Sequence, residues 1–259
     1  MRGSTPCHDD DTRRYGGNTS CVGLSAPDQA PLVFDLGTGL RYCGDRVPAT
    51  GPFQGNCLLT HMHWDHVQGL PFFVPTLRDG AQFNIYGPTQ DDGRTVREVF
   101  ESIIKPPMFP VSLTSLPGQF EFHDVDDSDF AIGDLQIKSR LVPHVGKTLG
   151  FRVTHQSTSV TYISDHQMPA DGSMGITGGA RELCQDADLL IHDAQYTTDE
   201  FADKSDWGHC TVDYAVWVAI ECGVKKLALF HHDPTRSDTA VDELLAAARR
   251  RGEKHGVEV

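Results

Sequence analysis

The run Leu58-Leu59-Thr60-His61-Met62-His63-Trp64-Asp65-His66 puts three histidines and an aspartate directly behind an apolar stretch. Imidazole and carboxylate together ligate divalent transition metals, and this mixture suits zinc, manganese or iron. Alternate side chains at the end of a strand point the same way, so His61 and His63 can chelate one ion. The turn that follows can offer Asp65 and His66 to a second ion. Two adjacent cations would lower the pKa of a shared water toward neutrality and so supply a nucleophile. They would also offset negative charge developing on the group under attack. The chemistry predicted is that of a hydrolase with two divalent metal ions, zinc ahead of manganese and iron.

Such a cluster needs rigid elements behind it. Residues 31–36, 56–60, 82–86, 135–142, 149–154, 159–164, 188–193 and 226–231 read as short strands, each a β-rich apolar run bounded by turn residues. Helices are predicted over 93–104, 179–186, 211–222 and 238–251. The third carries Val212, Ala215, Val216 and Ala219 as an apolar stripe at helical spacing. The last starts behind Ser237 or Asp238, both good N-caps. Strands dominate the first half and strand–helix alternation the second, which predicts a single α/β-type domain over 1–259. The opening Met1-Arg2-Gly3-Ser4 reads as a loop and leaves room for a native first strand ahead of it. Residues 105–120 hold Pro106, Pro107, Pro110 and Pro117 and are expected to form an ordered but irregular loop, a candidate lid.

The formal charge of −14 disfavours any long polyanion, so no large nucleic-acid partner is expected. A small phosphate ester is not excluded, because the charge of a bound metal outweighs a distant net charge. No apolar run approaches the ~20 residues of a membrane span, and no charged-then-apolar leader opens the chain. The seven cysteines, an odd number with no CxxC pair, argue against a disulfide framework or a cysteine-rich zinc site. They predict reduced thiols in the cytoplasm, mostly buried as small apolar residues.

His61-Met62-His63-Trp64-Asp65-His66 resembles the HxHxDH signature of the metallo-β-lactamase superfamily. Leu32-Val33-Phe34-Asp35-Leu36-Gly37 resembles the early strand, ending in Asp-x-Gly, that precedes it. His144 in Val142-Pro143-His144 is similar to the third histidine, Asp165 in Tyr162-Ile163-Ser164-Asp165 to the bridging aspartate, and His231 to the last ligand. The resemblance covers nearly the whole chain and implies a metallo-β-lactamase-type αββα sandwich, two mixed β-sheets flanked by helices. It also implies a ligand set: His61, His63 and His144 on one ion, Asp65, His66 and His231 on the other, Asp165 bridging.

Leu189-Leu190-Ile191-His192-Asp193-Ala194 resembles the His-Glu-Ala-Thr segment of the ribonuclease Z and cyclic-phosphodiesterase branch. Gly208-His209-Cys210-Thr211 resembles its Gly-His-Ser-Thr segment. This implies that His209 contacts the phosphate and serves as general acid, so that Asp65 and His209 are the catalytic candidates. His192 and Asp193 are implied to support the site, and Asp35 and Asp193 to orient imidazoles by accepting their N–H groups. Two departures stand out. Asp193 is one methylene shorter than glutamate, and His144 and Asp165 are only 21 positions apart, too close for the arm with which ribonuclease Z grips transfer RNA.

The expected function is a phosphodiesterase for a small or cyclic nucleotide-like phosphodiester. The alternatives are acyl-bond hydrolysis of a lactone, β-lactam or thioester at the same site, and transfer-RNA 3′ processing. A homodimer would be in keeping with such relatives, although no stripe in the sequence demands one. His166 and His232 are expected to make structural hydrogen bonds rather than bind metal.

Overall fold

The computed structural model describes residues 1–259, and the chain divides into two compact units, Ser20–Asp126 and Met1–Thr19 with Asp127–Val259. Each is built on its own mixed sheet. No helix is long and apolar enough to cross a membrane.

In the unit Ser20–Asp126 the sheet order is β1 (Val22–Leu24), β2 (Leu32–Phe34), β3 (Gln54–Leu58), β4 (Gln82–Gly87), β5 (Gln119–Asp124). Only the β1–β2 pair is antiparallel, so β2 to β5 end at one edge. All three β2 residues are buried, as an inner parallel strand requires. Short helices α1 (Leu40–Gly44), α2 (Trp64–Val67) and α3 (Val96–Ile103) accompany the sheet. α3 opens with a capping box in which Thr95 Oγ1 accepts from Glu98 N–H and Glu98 accepts from Thr95 N–H. Between α3 and β5 the chain is irregular, as its prolines predict, with one 3₁₀ turn at Leu113–Ser115.

The other unit holds six strands in the order β11-β10-β9-β8-β7-β6: β6 (Ser128–Ile132), β7 (Leu135–Leu141), β8 (Leu149–His155), β9 (Thr158–Ile163), β10 (Leu189–Asp193) and β11 (Lys226–Phe230). β9, β10 and β11 are mutually parallel, and β7 runs with them because β8 is antiparallel to both β7 and β9. Four strands therefore deliver their C-terminal ends to one edge. Helices α4 (Gly178–Cys184), α5 (Thr198–Phe201), α6 (Val212–Glu221) and α7 (Asp238–Glu253) complete the unit. Thr211 caps α6 by accepting from Tyr214 N–H, and Ser237 caps α7. The predicted stripe of α6 is buried and packs in one core with Leu183, Leu190 and Leu227.

β1, β5 and β6 were not expected, and all three are outermost in their sheets. In β5 and β6 the half-buried Phe120, Phe122, Phe130 and Ile132 alternate with exposed residues, among them Gln119, Glu121 and Asp129. That pattern is short, acidic and poor in β-branched residues, which masks it in the sequence. The helix expected over 93–104 begins at Val96, after its Thr95 cap.

Candidate metal centre

In the unit Ser20–Asp126 the predicted ligands follow β3, just beyond the parallel edge. His61, Asp65 and His66 are buried and His63 is exposed. The strand stops at Leu58, so His61 and His63 lie on loop backbone rather than on one face of a strand, with His63 as the N-cap of α2. Their rings nonetheless meet edge to face, 4.4 Å between centroids, and His61 lies 4.2 Å from His66. Asp65 Oδ2 is 3.3 Å from His66 Nε2.

Asp35 organises this group. It directly follows β2 in the left-handed region, φ +58°, and is fully buried. His66 Nδ1–H donates to Asp35 Oδ2 at 2.8 Å. Thr60 Oγ1 donates to Asp35 Oδ1 at 2.9 Å and so has a lone pair for His61 Nδ1–H, 3.0 Å away. One carboxylate thus fixes two imidazoles, one directly and one through a hydroxyl. A ring whose Nδ1–H is committed in this way can ligate only through Nε2.

In the other unit His144 follows β7, Asp165 follows β9, Asp193 ends β10 and His231 follows β11, so the shared strand direction gathers them at one edge. Asp165 Oδ1 is 3.4 Å from His231 Nε2 and 3.9 Å from His144 Nε2. His144 Nδ1–H donates to the Gly208 carbonyl at 2.6 Å and His231 Nδ1–H to Gln195 Oε1 at 2.8 Å, so both rings again keep Nε2 for a ligand. His144, Asp165 and His209 each offer an atom within 4.8 Å of the others, and so do Asp193, His209 and His231. Buried imidazoles and carboxylates with oriented second nitrogens are a donor set that fits a divalent transition metal.

His209 lies 4.9 Å from His231, ring over ring, and donates Nδ1–H to Asp193 Oδ2 at 2.9 Å. Asp193 also accepts the backbone N–H groups of His166 and Gln195, at 3.0 Å each. The aspartate thus reaches His209 despite its shorter side chain, and it orients this ring rather than His144 or His231. His192 is engaged elsewhere. Its Nδ1–H donates to the Asp193 carbonyl at 2.7 Å and its Nε2 accepts from His166 Nδ1–H at 2.9 Å. Burial drives both His166 and His192 below the usual imidazole range, so this pair is neutral.

Four supporting residues escaped the sequence reading, Thr60 among them. Gln195, two residues past Asp193, holds His231. Gly208 holds His144 through its carbonyl at φ +94°, a backbone state that favours glycine. Gly3 makes room for His231, because a Cβ there would overlap the imidazole. The segment bearing Gly3 is pinned by Arg2, fully buried, whose guanidinium donates to the Arg236 carbonyl at 2.6 Å and pairs with Asp238 at 3.3 Å. His231 itself has φ +56°, so β11 does not continue through His232, whose backbone pairs instead with Met1 and Gly3.

Residues 55–232 match the Beta-lactamase superfamily domain, and the chain belongs to that family. Its curated relatives include ribonucleases Z, and its solved neighbours share the metallo-β-lactamase fold. It is 28% identical to a ribonuclease Z of Natronomonas pharaonis, covering 85% of this chain and 82% of the relative. The metallo-β-lactamase fold protein YhfI from Bacillus subtilis superposes with a TM-score of 0.71 at 20% identity, over 100% of this chain and 91% of that one. A diphosphatase from the PhnP family superposes with a TM-score of 0.65 at 17% identity, over 93% and 80% respectively. The two mixed sheets with their helices are the architecture of this fold.

Proposed function

We propose that the chain is a dinuclear metal-dependent phosphodiesterase acting on a small or cyclic nucleotide-like phosphodiester. The observation that carries this reading is the Asp193–His209 bond of 2.9 Å beside Asp165 and His231. A phosphodiester has an alkoxide leaving group that needs a proton, and a carboxylate-anchored imidazole is suited to deliver one. With Nδ1–H given to Asp193, the proton delivered would come from Nε2, and the carboxylate would stabilise the charged ring beforehand.

In this reading His61, His63 and His144 hold one ion, Asp65, His66 and His231 the other, and Asp165 serves both. Two bound divalent ions would supply Lewis-acid polarisation of the phosphoryl oxygens and a water acidified toward neutral pH. The chain's own part is to hold the rings in one tautomer through Asp35, Thr60, Gly208 and Gln195, and to place His209 on the leaving-group side. Zinc suits the donor set best, ahead of manganese and iron.

A second reading, transfer-RNA 3′ processing, is favoured by the ribonuclease Z relative. The net charge of −14 and the short span from His144 to Asp165 speak for a small substrate instead. Acyl-bond hydrolysis at the same residues makes less use of His209.

The test is elemental analysis of the purified protein together with turnover of bis-p-nitrophenyl phosphate and of 2′,3′- and 3′,5′-cyclic nucleotides, with Asp165→Ala as control. Two metals per chain and control-sensitive phosphodiester turnover are expected. Two metals with turnover of lactones or thioesters alone would overturn the phosphodiesterase assignment. Less than one metal after reconstitution would overturn the dinuclear site itself.

A further inference from the structure

None of the seven cysteines is bridged, but two pairs of thiols touch. Cys184 and Cys222 share a hydrogen bond and are completely buried. Cys21 and Cys43 lie with their sulfurs 3.7 Å apart, Cys21 buried and Cys43 half-buried in α1. The second pair differs in access. Cys43 lines a cavity of about 130 Å³ walled by Val33, Arg46, Val47, Phe53 and Phe83, all within the unit Ser20–Asp126. A void of this size admits a small molecule. Neither cysteine belongs to the proposed hydrolytic site.

We propose that Cys21 and Cys43 form an oxidant-sensitive dithiol in which Cys43 is attacked first, by a small hydroperoxide entering this cavity, and Cys21 resolves it into a disulfide. The two thiols have unequal roles for a physical reason. The hydrogen bond with Cys21, first, and the charge of the Arg46 guanidinium hold Cys43 below the usual thiol range. Cys21 is held above that range, by its tie to Cys43 first and by burial next, and so stays protonated.

In the first step the Cys43 thiolate attacks the O–O bond of the hydroperoxide. A sulfur–oxygen bond forms, the sulfur loses two electrons, and the other oxygen leaves as alcohol or water carrying the thiol proton. In the second step the Cys21 sulfur attacks the sulfenyl sulfur. The S–S bond forms, and the sulfenyl oxygen departs as water with the Cys21 proton. The sulfurs must close from 3.7 Å to about 2.05 Å. That is a small movement for a five-residue helix at the surface.

The experiment is a titration of the purified, metal-loaded full chain with hydrogen peroxide, followed by peptide mapping under non-reducing conditions. The linked Cys21–Cys43 peptide should appear first, with Cys184 and Cys222 still alkylatable. Cys21→Ser should stop the reaction at a Cys43 sulfenic acid that dimedone captures. Cys43→Ser should slow loss of the Cys21 thiol by at least about tenfold. The proposal fails if another cysteine is oxidised first while Cys21 and Cys43 remain unlinked, or if Cys43→Ser leaves the Cys21 rate unchanged. The wild-type map decides the matter even if a variant folds poorly. None of these outcomes depends on hydrolytic activity.

Discussion

Asp193 Oδ2 takes the Nδ1–H of His209 at 2.9 Å while the same oxygen takes the backbone N–H of His166 at 3.0 Å. The carboxylate is therefore fixed by the main chain before it orients the ring. His209→Ala should lower turnover of bis-p-nitrophenyl phosphate by about 10²–10⁴-fold. Bound metal, measured on the same sample, should be unchanged. Asp193→Asn should produce a smaller loss and shift the acidic or basic limb of the pH–rate profile. Equal loss of phosphodiester and thioester turnover in His209→Ala would refute the proposed acid.

Asp35 serves two imidazoles and Gln195 serves one. Asp35→Ala should weaken metal affinity by about 10–100-fold, the usual range when an orienting partner is lost. Gln195→Ala should lie at the lower end of that range. Competition with a chromophoric chelator measures both. A Gln195 variant as impaired as the Asp35 variant would contradict this ranking.

Gly208 combines φ +94° with a position where a Cβ would stand 2.5 Å from His144 Nδ1. Gly208→Ala must strain the backbone or displace the ring. We expect a stability loss of about 1–3 kcal/mol together with reduced metal binding. Urea unfolding of the metal-free protein isolates the first effect, and chelator competition the second.

Glu182 bonds Arg140 at 2.7 Å and Lys138 at 2.6 Å, in that order of influence, and its carboxyl is held down from 4.5 to about 2. A carboxylate with a depressed folded pKa adds stability that is complete above the unfolded value and lost on acidification. The loss should therefore fall between pH 4.5 and about 2. The side chain is 45% exposed, so solvent screening limits the effect to about 1 kcal/mol or less. Glu182→Gln should flatten that part of the stability–pH curve in the metal-free protein. A wild-type slope identical to the variant's would disprove the contribution.

How far the sequence announced these features depends on what each one asks of the chain. Inner strands such as β2 and β10 are almost wholly buried and carry apolar runs, Leu32–Phe34 and Leu189–Ile191. The half-exposed outer strands β5 and β6 do not. Ligand candidates were legible because His and Asp cluster where apolar runs stop. Gln195, Gly208 and Gly3 act through an amide oxygen, a carbonyl and the lack of a side chain, none of which has a signature in a linear string. Asp193 was legible as a residue, but its partner was not. The expectation tied Asp193 to imidazoles in general, and only three-dimensional geometry singled out His209.

The two-residue turn Gln156–Ser157 joins β8 to β9 at the edge opposite the one where His144, Asp165 and His231 are delivered. β9 spans six residues, so its two ends lie roughly 20 Å apart at the rise of an extended strand. That distance makes the turn a natural handle. A fluorophore, an affinity tag or a grafted domain placed between Gln156 and Ser157 would ride on the sheet's far rim while the chemistry at the other rim went on undisturbed.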